Sequence, residues 1–167
     1  MRQIALLASP LVALSMRGIP AFAQGTHMRS DTSGHDSAFA AMQARGKMVM
    51  GLDQSTSTHH FVDLPNGGRI TLVRDSADAA GAARIQQHLR DIAAAFSAGD
   101  FSSPMLVHMK DVPGTRIMAE KKALIHYSTR ALDRGGDLTI RSSDPDAVRA
   151  IHEFLAFQRA EHHVPPT

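Results

Sequence analysis

The sequence predicts an α+β domain built from a duplicated ββα unit. Two stretches, 57–73 and 124–140, each show a strand pattern, a turn with two adjacent glycines and a return strand. An acidic residue and an amphipathic helical pattern follow each stretch. Since each hairpin has one apolar face and each helix one apolar stripe, we expect a four-stranded antiparallel sheet with two helices on one face, preceded by a short N-terminal helix. Chance similarity between two common hairpins is the alternative to duplication.

The first 23 residues have the features of a cleaved export signal. Arg2 gives a positive start, Ile4–Leu14 is mostly apolar, and Ala21–Ala23 has the small residues of a cleavage site. An uncleaved membrane anchor is the alternative, but the apolar run is shorter than the roughly 20 residues that a spanning helix needs. We therefore predict a periplasmic or secreted protein with no membrane span after cleavage. The polar residues 24–36 indicate a disordered linker, and 37–163 a single domain.

Charge and composition exclude one class of partner. The chain has 18 Lys and Arg against 16 Asp and Glu, and removal of the signal leaves 16 against 16. With no tryptophan and one tyrosine, the mature chain lacks both the basic surface and the stacking platform that nucleic-acid binding needs. The absence of cysteine excludes disulfide bonds, so a soft metal ion would have to be bound by histidine and methionine.

The segments around the first hairpin carry weaker signals. A short helix is expected to begin at Asp36 or Ser37 and to end near Gly46. The apolar alternation of Lys47–Met50 then predicts a short strand or an extended segment. Within the hairpin, Asn66-Gly67 favours a type I′ turn, because both central residues of that turn need positive φ.

The helix after the first hairpin is predicted from a cap at Asp75 or Ser76 to Ala98, before Gly99. Apolar residues at i, i+4, i+7 and i+11 predict one buried stripe, consisting of Ile85, Leu89, Ile92 and Phe96. His88 lies on the flank of this stripe, where a side chain is half-buried.

The connector between the two units is broken by Pro104 and Pro113. Its central run, Met105–Met109, predicts a short strand or a buried extended segment. After the second hairpin, Asp144 and Pro145 predict the start of the last helix. The inward face of that helix is expected to consist of Val148, Ile151, Phe154, Leu155 and Gln158.

Histidines are frequent inside the predicted elements. Six of the ten lie there, namely His59, His60, His88, His108, His126 and His152. His59 and His60 are neighbours on a strand and point to opposite faces, so only one of them can join a given site. His59 shares its face with Phe61. Imidazole is a ligand for zinc and copper, and thioethers favour Cu(I).

The predicted metal site uses His59, His88 and His108 with help from Met109 or Met118, and would bind copper or zinc. In the alternative interpretation the histidines are ordinary half-exposed polar residues and the methionines fill the core. His162-His163, near the C-terminus, could bind metal adventitiously or belong to a solvated tail.

No catalytic motif is recognisable, which leaves enzyme activity undecided. His152-Glu153 begins like a zincin motif, but Ala156 occupies the position of the required second histidine. The sequence has no Walker-type phosphate loop, nucleophile elbow or dinucleotide glycine pattern. Two further functions stay open, a protein-interaction or structural module that uses the open sheet face, and a small-ligand enzyme with a histidine-based site.

Several segments resemble a small secreted bacterial family. The resemblance extends over nearly the whole mature chain, and the segments that carry it are Asp53–Phe61, His88–Ile92, Gly99–Phe101, Val112–Thr115 and Ile151–Gln158. Members of this family often carry the label aspartate carbamoyltransferase. Carbamoyltransferases are longer two-domain proteins whose Ser-Thr-Arg-Thr motif binds carbamoyl phosphate at a helix start, whereas the nearest string here, Ser128–Ala131, lies in a predicted strand. The resemblance implies secretion and a compact domain, and it transfers no catalytic residue.

Overall fold

The structure, a computed structural model, describes residues 32–51 and 53–164. The predicted signal, 1–23, lies outside the described residues, as does most of the predicted linker. Among the described residues, no helix is long and apolar enough to cross a membrane. In chain order the helices and strands are α1 (Thr32–Met50), β1 (Ser57–Leu64), β2 (Gly67–Arg74), α2 (Ala79–Ala98), α3 (Ser102–His108), α4 (Thr115–Glu120), β3 (Ile125–Leu132), β4 (Gly135–Ser142) and α5 (Pro145–Glu161).

The four strands form one antiparallel sheet in the order β1-β2-β4-β3, which confirms the predicted fold class. The inner strands β2 and β4 pair so that Ile70 lies opposite Leu138. Both residues belong to a single buried cluster that also contains Ile85 of α2 and Ile151 of α5. Helices α2 and α5 therefore cover the same face of the sheet, and the opposite face has no helix on it in the described part of the chain.

The helices cross over between the two halves. Helix α2 follows the first hairpin but packs mainly on β3 and β4 of the second. Helix α5 follows the second hairpin and packs mainly on β1 and β2 of the first. The apolar face of each hairpin is thus buried chiefly by the helix of the other half.

The strands of the two halves match in length as well as in order. All four strands have 8 residues, and β3 and β4 begin 68 residues after β1 and β2. Helices α2 and α5 start in the same way, because the side chains of Asp78 and Asp144 accept hydrogen bonds from the backbone N–H groups of Gly81 and Ala147 at 2.9 Å. These correspondences agree with the predicted repeat, while an origin by duplication stays a prediction.

The start of α5 and the end of α2 lie where the sequence predicts them. Asp144 is the N-cap of α5 and Pro145 is its first residue. Proline suits this position because the N–H group that it lacks would make no hydrogen bond within the helix. Gly99 ends α2 in the left-handed conformation with φ 82°. On the inward face of α5, Val148 is only half-buried, and the other four predicted residues are buried.

The first hairpin turn differs from the predicted type. Pro65 and Asn66 are its two central residues, and Asn66 has no positive φ. The predicted type I′ turn is therefore wrong, because the ring of Pro65 fixes φ near −65° and excludes it. Gly67 is the first residue of β2, with φ 142°. A Cβ atom on it would lie 2.0 Å from the carbonyl oxygen of Ile140, so the glycine is required by close strand approach.

Two segments predicted as extended are helical. Lys47–Met50 forms the last turn of α1, and a run of four residues is too short to separate a strand period from a helical one. Met105–His108 belongs to α3, where Pro104 is the third residue. A proline in the first turn of a helix breaks no helical hydrogen bond. Pro104, which was expected to break regular structure, therefore lies in the first turn of α3.

Candidate functional site

A small cavity lies between the sheet and the helices, on the helical side of β1 and β2. Its volume is about 110 Å³. This is below the roughly 150 Å³ of a protein cavity that binds benzene, and far below the 300–1,000 Å³ of a cofactor pocket. The cavity, called the inner cavity below, can therefore hold an ion or a ligand of a few atoms. Its polar lining residues are Gln54, His59, His88, Ser103, His108, Gln158 and His162.

His59 enters the cavity from β1. It shares a strand face with Phe61, which is 3% exposed, so this face is the one that packs under the helices. His60 lies on the opposite face and is exposed. The structure thus separates the histidine pair, with His59 at the cavity and His60 directed away from the core.

His162 follows the last residue of α5 and meets His59. The two rings stack with their centres 4.8 Å apart and their planes inclined by 29°. Arg159 fixes this end of α5 on β1, because its guanidinium donates two hydrogen bonds of 3.0 Å to the carboxylate of Asp63 and one of 3.0 Å to the carbonyl of Phe61. The position of His162 is therefore set by an anchor one helical turn earlier.

His108 completes a group of three rings, called the histidine cluster below. It is the last residue of α3, is 7% exposed, and lies edge-on to His162 with ring centres 5.5 Å apart. Its Nε2 is 3.2 Å from Oε1 of Gln158. Because that oxygen can only accept, this contact assigns the hydrogen of the neutral ring to Nε2 and leaves the lone pair on Nδ1.

Two ring nitrogens of the cluster have no hydrogen-bond partner among the described residues. Nδ1 of His162 is buried and unpaired. Nδ1 of His108 is also unpaired, since Oε2 of Glu161 at 3.6 Å is too distant for a hydrogen bond. A buried polar atom without a partner costs about 1–3 kcal/mol, so a partner for either nitrogen would stabilise the folded protein.

Burial keeps these rings neutral. Burial, together with the neighbouring His88 and His60, lowers the pKa of His59 to about 4. Burial and the neighbouring His59, His108 and His163 lower the pKa of His162 to about 3. The pKa values of His88 and His108 are also lowered, chiefly by burial. Neutral imidazole is the form that binds metal ions.

The spacing of the rings matches that of metal ligands, but their orientation does not. Two imidazoles bound to one ion at about 2.1 Å have ring centres roughly 5 Å apart. The rings of His59 and His162, however, lie face to face, so their nitrogens do not point toward a common ion between them. Within the described residues, no three side chains of His, Cys, Asp or Glu are arranged so that they could already hold a metal ion. Binding would require at least one ring to turn.

The residues predicted for a metal site divide into two groups. His59, His88 and His108 come from three separate elements and line the same inner cavity. Met109 and Met118 do not line it. Met109 is 67% exposed at the end of α3, and Met118 is fully buried in the core through α4. Among the described residues, the methionine that lines the cavity is Met50, at the end of α1.

The residue that the sequence interpretation missed is His162, which was assigned to a tail or to adventitious binding. A signal for it exists. Ile151, Leu155, Gln158 and His162 have the spacing i, i+4, i+7 and i+11 that predicts the stripe of α2. Extending this stripe by one turn would have placed His162 on the inward face.

An open cleft lies outside the inner cavity. This outer cleft has a volume of about 660 Å³ and shares Gln54, His59 and His162 with the inner cavity. His60 and His163 line it as well. His163 stacks on Phe39 of α1, with ring centres 4.4 Å apart. His59 and His162 thus form a wall between the cleft and the cavity.

Comparisons with protein-family models, curated proteins and solved structures give no match for this chain. The function of the site is therefore argued from its own residues.

Proposed function

We propose that the chain is an exported metal-binding protein that binds a copper or zinc ion at the histidine cluster. The ligands are His59, His108 and His162, and His88 lies at the same cavity as a fourth imidazole. The observation that carries this proposal is the meeting of three neutral imidazoles from three separate elements at ring separations of 4.8 and 5.5 Å. Imidazoles in such a group suit zinc and copper.

The chemistry of the cavity wall supports the same proposal. None of the described lining residues is Lys, Arg, Asp or Glu, so no basic group repels a cation there. The amide of Gln158 contacts the far nitrogen of His108, as outer-shell partners of metal-bound histidines do. The unpaired Nδ1 atoms of His108 and His162 gain a partner when an ion binds.

The required ring movement is local. His162 lies just beyond α5, two residues before the end of the described chain, so no helical hydrogen bond has to break for its side chain to turn. The stacking with His59 that is lost is worth about 0.5–1.5 kcal/mol. Structural zinc sites gain roughly 10 kcal/mol or more, which exceeds this cost.

The test measures copper and zinc binding to the metal-free full-length protein by titration calorimetry and by the shift in melting temperature. We expect one ion per chain and a rise in melting temperature at excess metal, since the ion binds the folded state. Replacing His59, His108 or His162 by Ala should weaken binding at least about tenfold. His126→Ala is the matched control, because His126 is an exposed histidine of β3.

Two results would contradict the metal proposal. One is the absence of binding and of any melting shift with either ion. The other is equal weakening by His126→Ala and by the cluster variants, which would indicate adventitious binding to surface histidines.

A small uncharged ligand is a second candidate, favoured by the walls of the same cavity. Most of the lining is apolar, and Phe96, Leu138 and Phe154 belong to it. Small-ligand sites combine such walls with a few polar groups. A ligand that raises the melting temperature equally with and without a chelator would support this candidate over the metal.

A further inference from the structure

We propose that the thioether of Met50 is an additional ligand of the proposed metal site and that it selects copper in the Cu(I) state. This inference rests on the proposed function and goes further by naming the ion. Zinc would bind to the imidazoles alone, whereas Cu(I) would also use the sulfur atom.

Met50 is the one sulfur-containing residue among the described residues that line the inner cavity. The chain has no cysteine, so no thiolate competes with it. Of the other methionines that the structure describes, Met42 and Met118 are buried away from the cavity, and Met48, Met105 and Met109 are exposed. The position of Met50 in the fold therefore distinguishes it from the other described methionines.

Two contacts fix the end of α1 over the cavity. Nε of Arg45 donates a 2.7 Å hydrogen bond to the carbonyl of Val107, the residue before His108. Gly46 packs so closely on Gln54 that a Cβ atom there would lie 1.9 Å from the amide nitrogen. The last turn of α1, which carries Met50, is thereby held at the wall that His108 also lines.

Ligand chemistry and the surroundings both favour Cu(I). A thioether is a soft, neutral donor that binds Cu(I) and contributes little to zinc. The side chain of methionine has three rotatable bonds, so its sulfur can adapt to an ion held by the imidazoles. An apolar shell also favours an ion of charge +1 over one of charge +2, because burying the higher charge costs more.

The experiment compares Met50→Leu with two methionine controls in the full-length protein. Cu(I) affinity is measured without oxygen by competition with a coloured Cu(I) chelator, and zinc affinity with a zinc indicator. We expect Met50→Leu to weaken Cu(I) binding about 10- to 100-fold and to change zinc binding less than about threefold. Met109→Leu and Met118→Leu, one exposed and one in the core, should leave both affinities unchanged.

The outcomes separate this inference from the proposed function. If Met50→Leu binds Cu(I) within about threefold of the unmodified protein, Met50 is not a ligand, although the histidine site stands. If Met50→Leu weakens zinc and Cu(I) equally, the residue acts through packing and the inference fails. If the unmodified protein binds neither ion, the proposed function and this inference fail together. Circular dichroism of each variant without metal shows whether the fold is kept.

Discussion

Two matching corners of the domain are filled by different side chains. Tyr127 of β3 occupies the position that His59 occupies on β1, 68 residues earlier. Phe96 of α2 corresponds to His162 after α5, counted from the N-caps Asp78 and Asp144. Because the helices cross over, Phe96 packs on Tyr127 with ring centres 6.0 Å apart, and His162 packs on His59 at 4.8 Å.

The first corner packs aromatic rings in the core, and the second carries the candidate ligands. At the aromatic corner, Phe96 is 2% exposed and also contacts the rings of Phe101 and Phe154. At the histidine corner, two imidazoles occupy the matching positions. Phe96 and His162 both line the inner cavity, and each corner has a buried polar atom without a partner, the hydroxyl of Tyr127 in one and Nδ1 of His162 in the other. The same backbone thus supports either packing or ligand chemistry, and the difference lies in a few ring substitutions.

The largest effect expected is on stability at the aromatic corner. Phe96→Ala should lower the free energy of unfolding by about 3–5 kcal/mol, because it leaves a void in a packed core. His162→Ala removes a half-buried ring whose Nδ1 has no partner, so its cost should stay near 1 kcal/mol. Denaturant unfolding of the metal-free variants at pH 7.5 measures both. Equal costs would show that the two corners contribute alike to stability.

An intermediate effect is expected from pH, at the histidine corner alone. In the folded metal-free protein the pKa of His59 is about 4, against 6.5 for an unperturbed histidine. The unfolded chain then binds the proton more readily, so stability is full above pH 6.5 and falls as the pH decreases toward 4. His59 alone should account for a loss on the order of 2 kcal/mol between pH 7.5 and pH 4.5, and His162, whose pKa is lowered as well, adds to it.

The control for this pH effect turns the histidine corner into an aromatic one. The double variant His59→Tyr, His162→Phe gives the histidine corner the same two residue types that Tyr127 and Phe96 supply at the aromatic corner. Unfolding curves with a chelator present should then show a smaller loss of stability at pH 4.5. An unchanged pH dependence would assign the effect to groups other than His59 and His162, such as His88 and His108, whose pKa values are also lowered.

The smallest effect is expected at the contact that orients His108. Gln158→Leu removes the acceptor at 3.2 Å and should weaken metal binding about tenfold, with a stability change near 1 kcal/mol. Gln87→Leu is the matched control, since Gln87 is exposed on α2. Titration of both variants with zinc checks the prediction. Equal affinities would show that the orientation of His108 does not depend on this amide.

Much of the scaffold could be predicted because its signals are local. Asp144 and Pro145 mark the start of α5, and Gly99 marks the end of α2, through backbone geometry that a few residues determine. The predicted strand at Met105–Met109 failed because a short apolar run has no distinguishable period, and Pro104 is compatible with a first helical turn.

The site was predictable only in part. Strand alternation placed His59 beside Phe61, and burial of that face follows from the core. Which methionine reaches the cavity depends on where α1 lies, and that position depends on contacts across 62 residues, such as Arg45 with Val107. The sequence pattern carries no information on such contacts, so Met109 and Met118 were chosen in place of Met50.

The crossing of α2 and α5 also bears on how the chain acquires its structure. A polypeptide that ends after α2 contains the first hairpin and a helix, yet the main partners of that helix, β3 and β4, are still missing. Neither half should therefore fold stably on its own. Mixing the two separately produced halves should restore the domain.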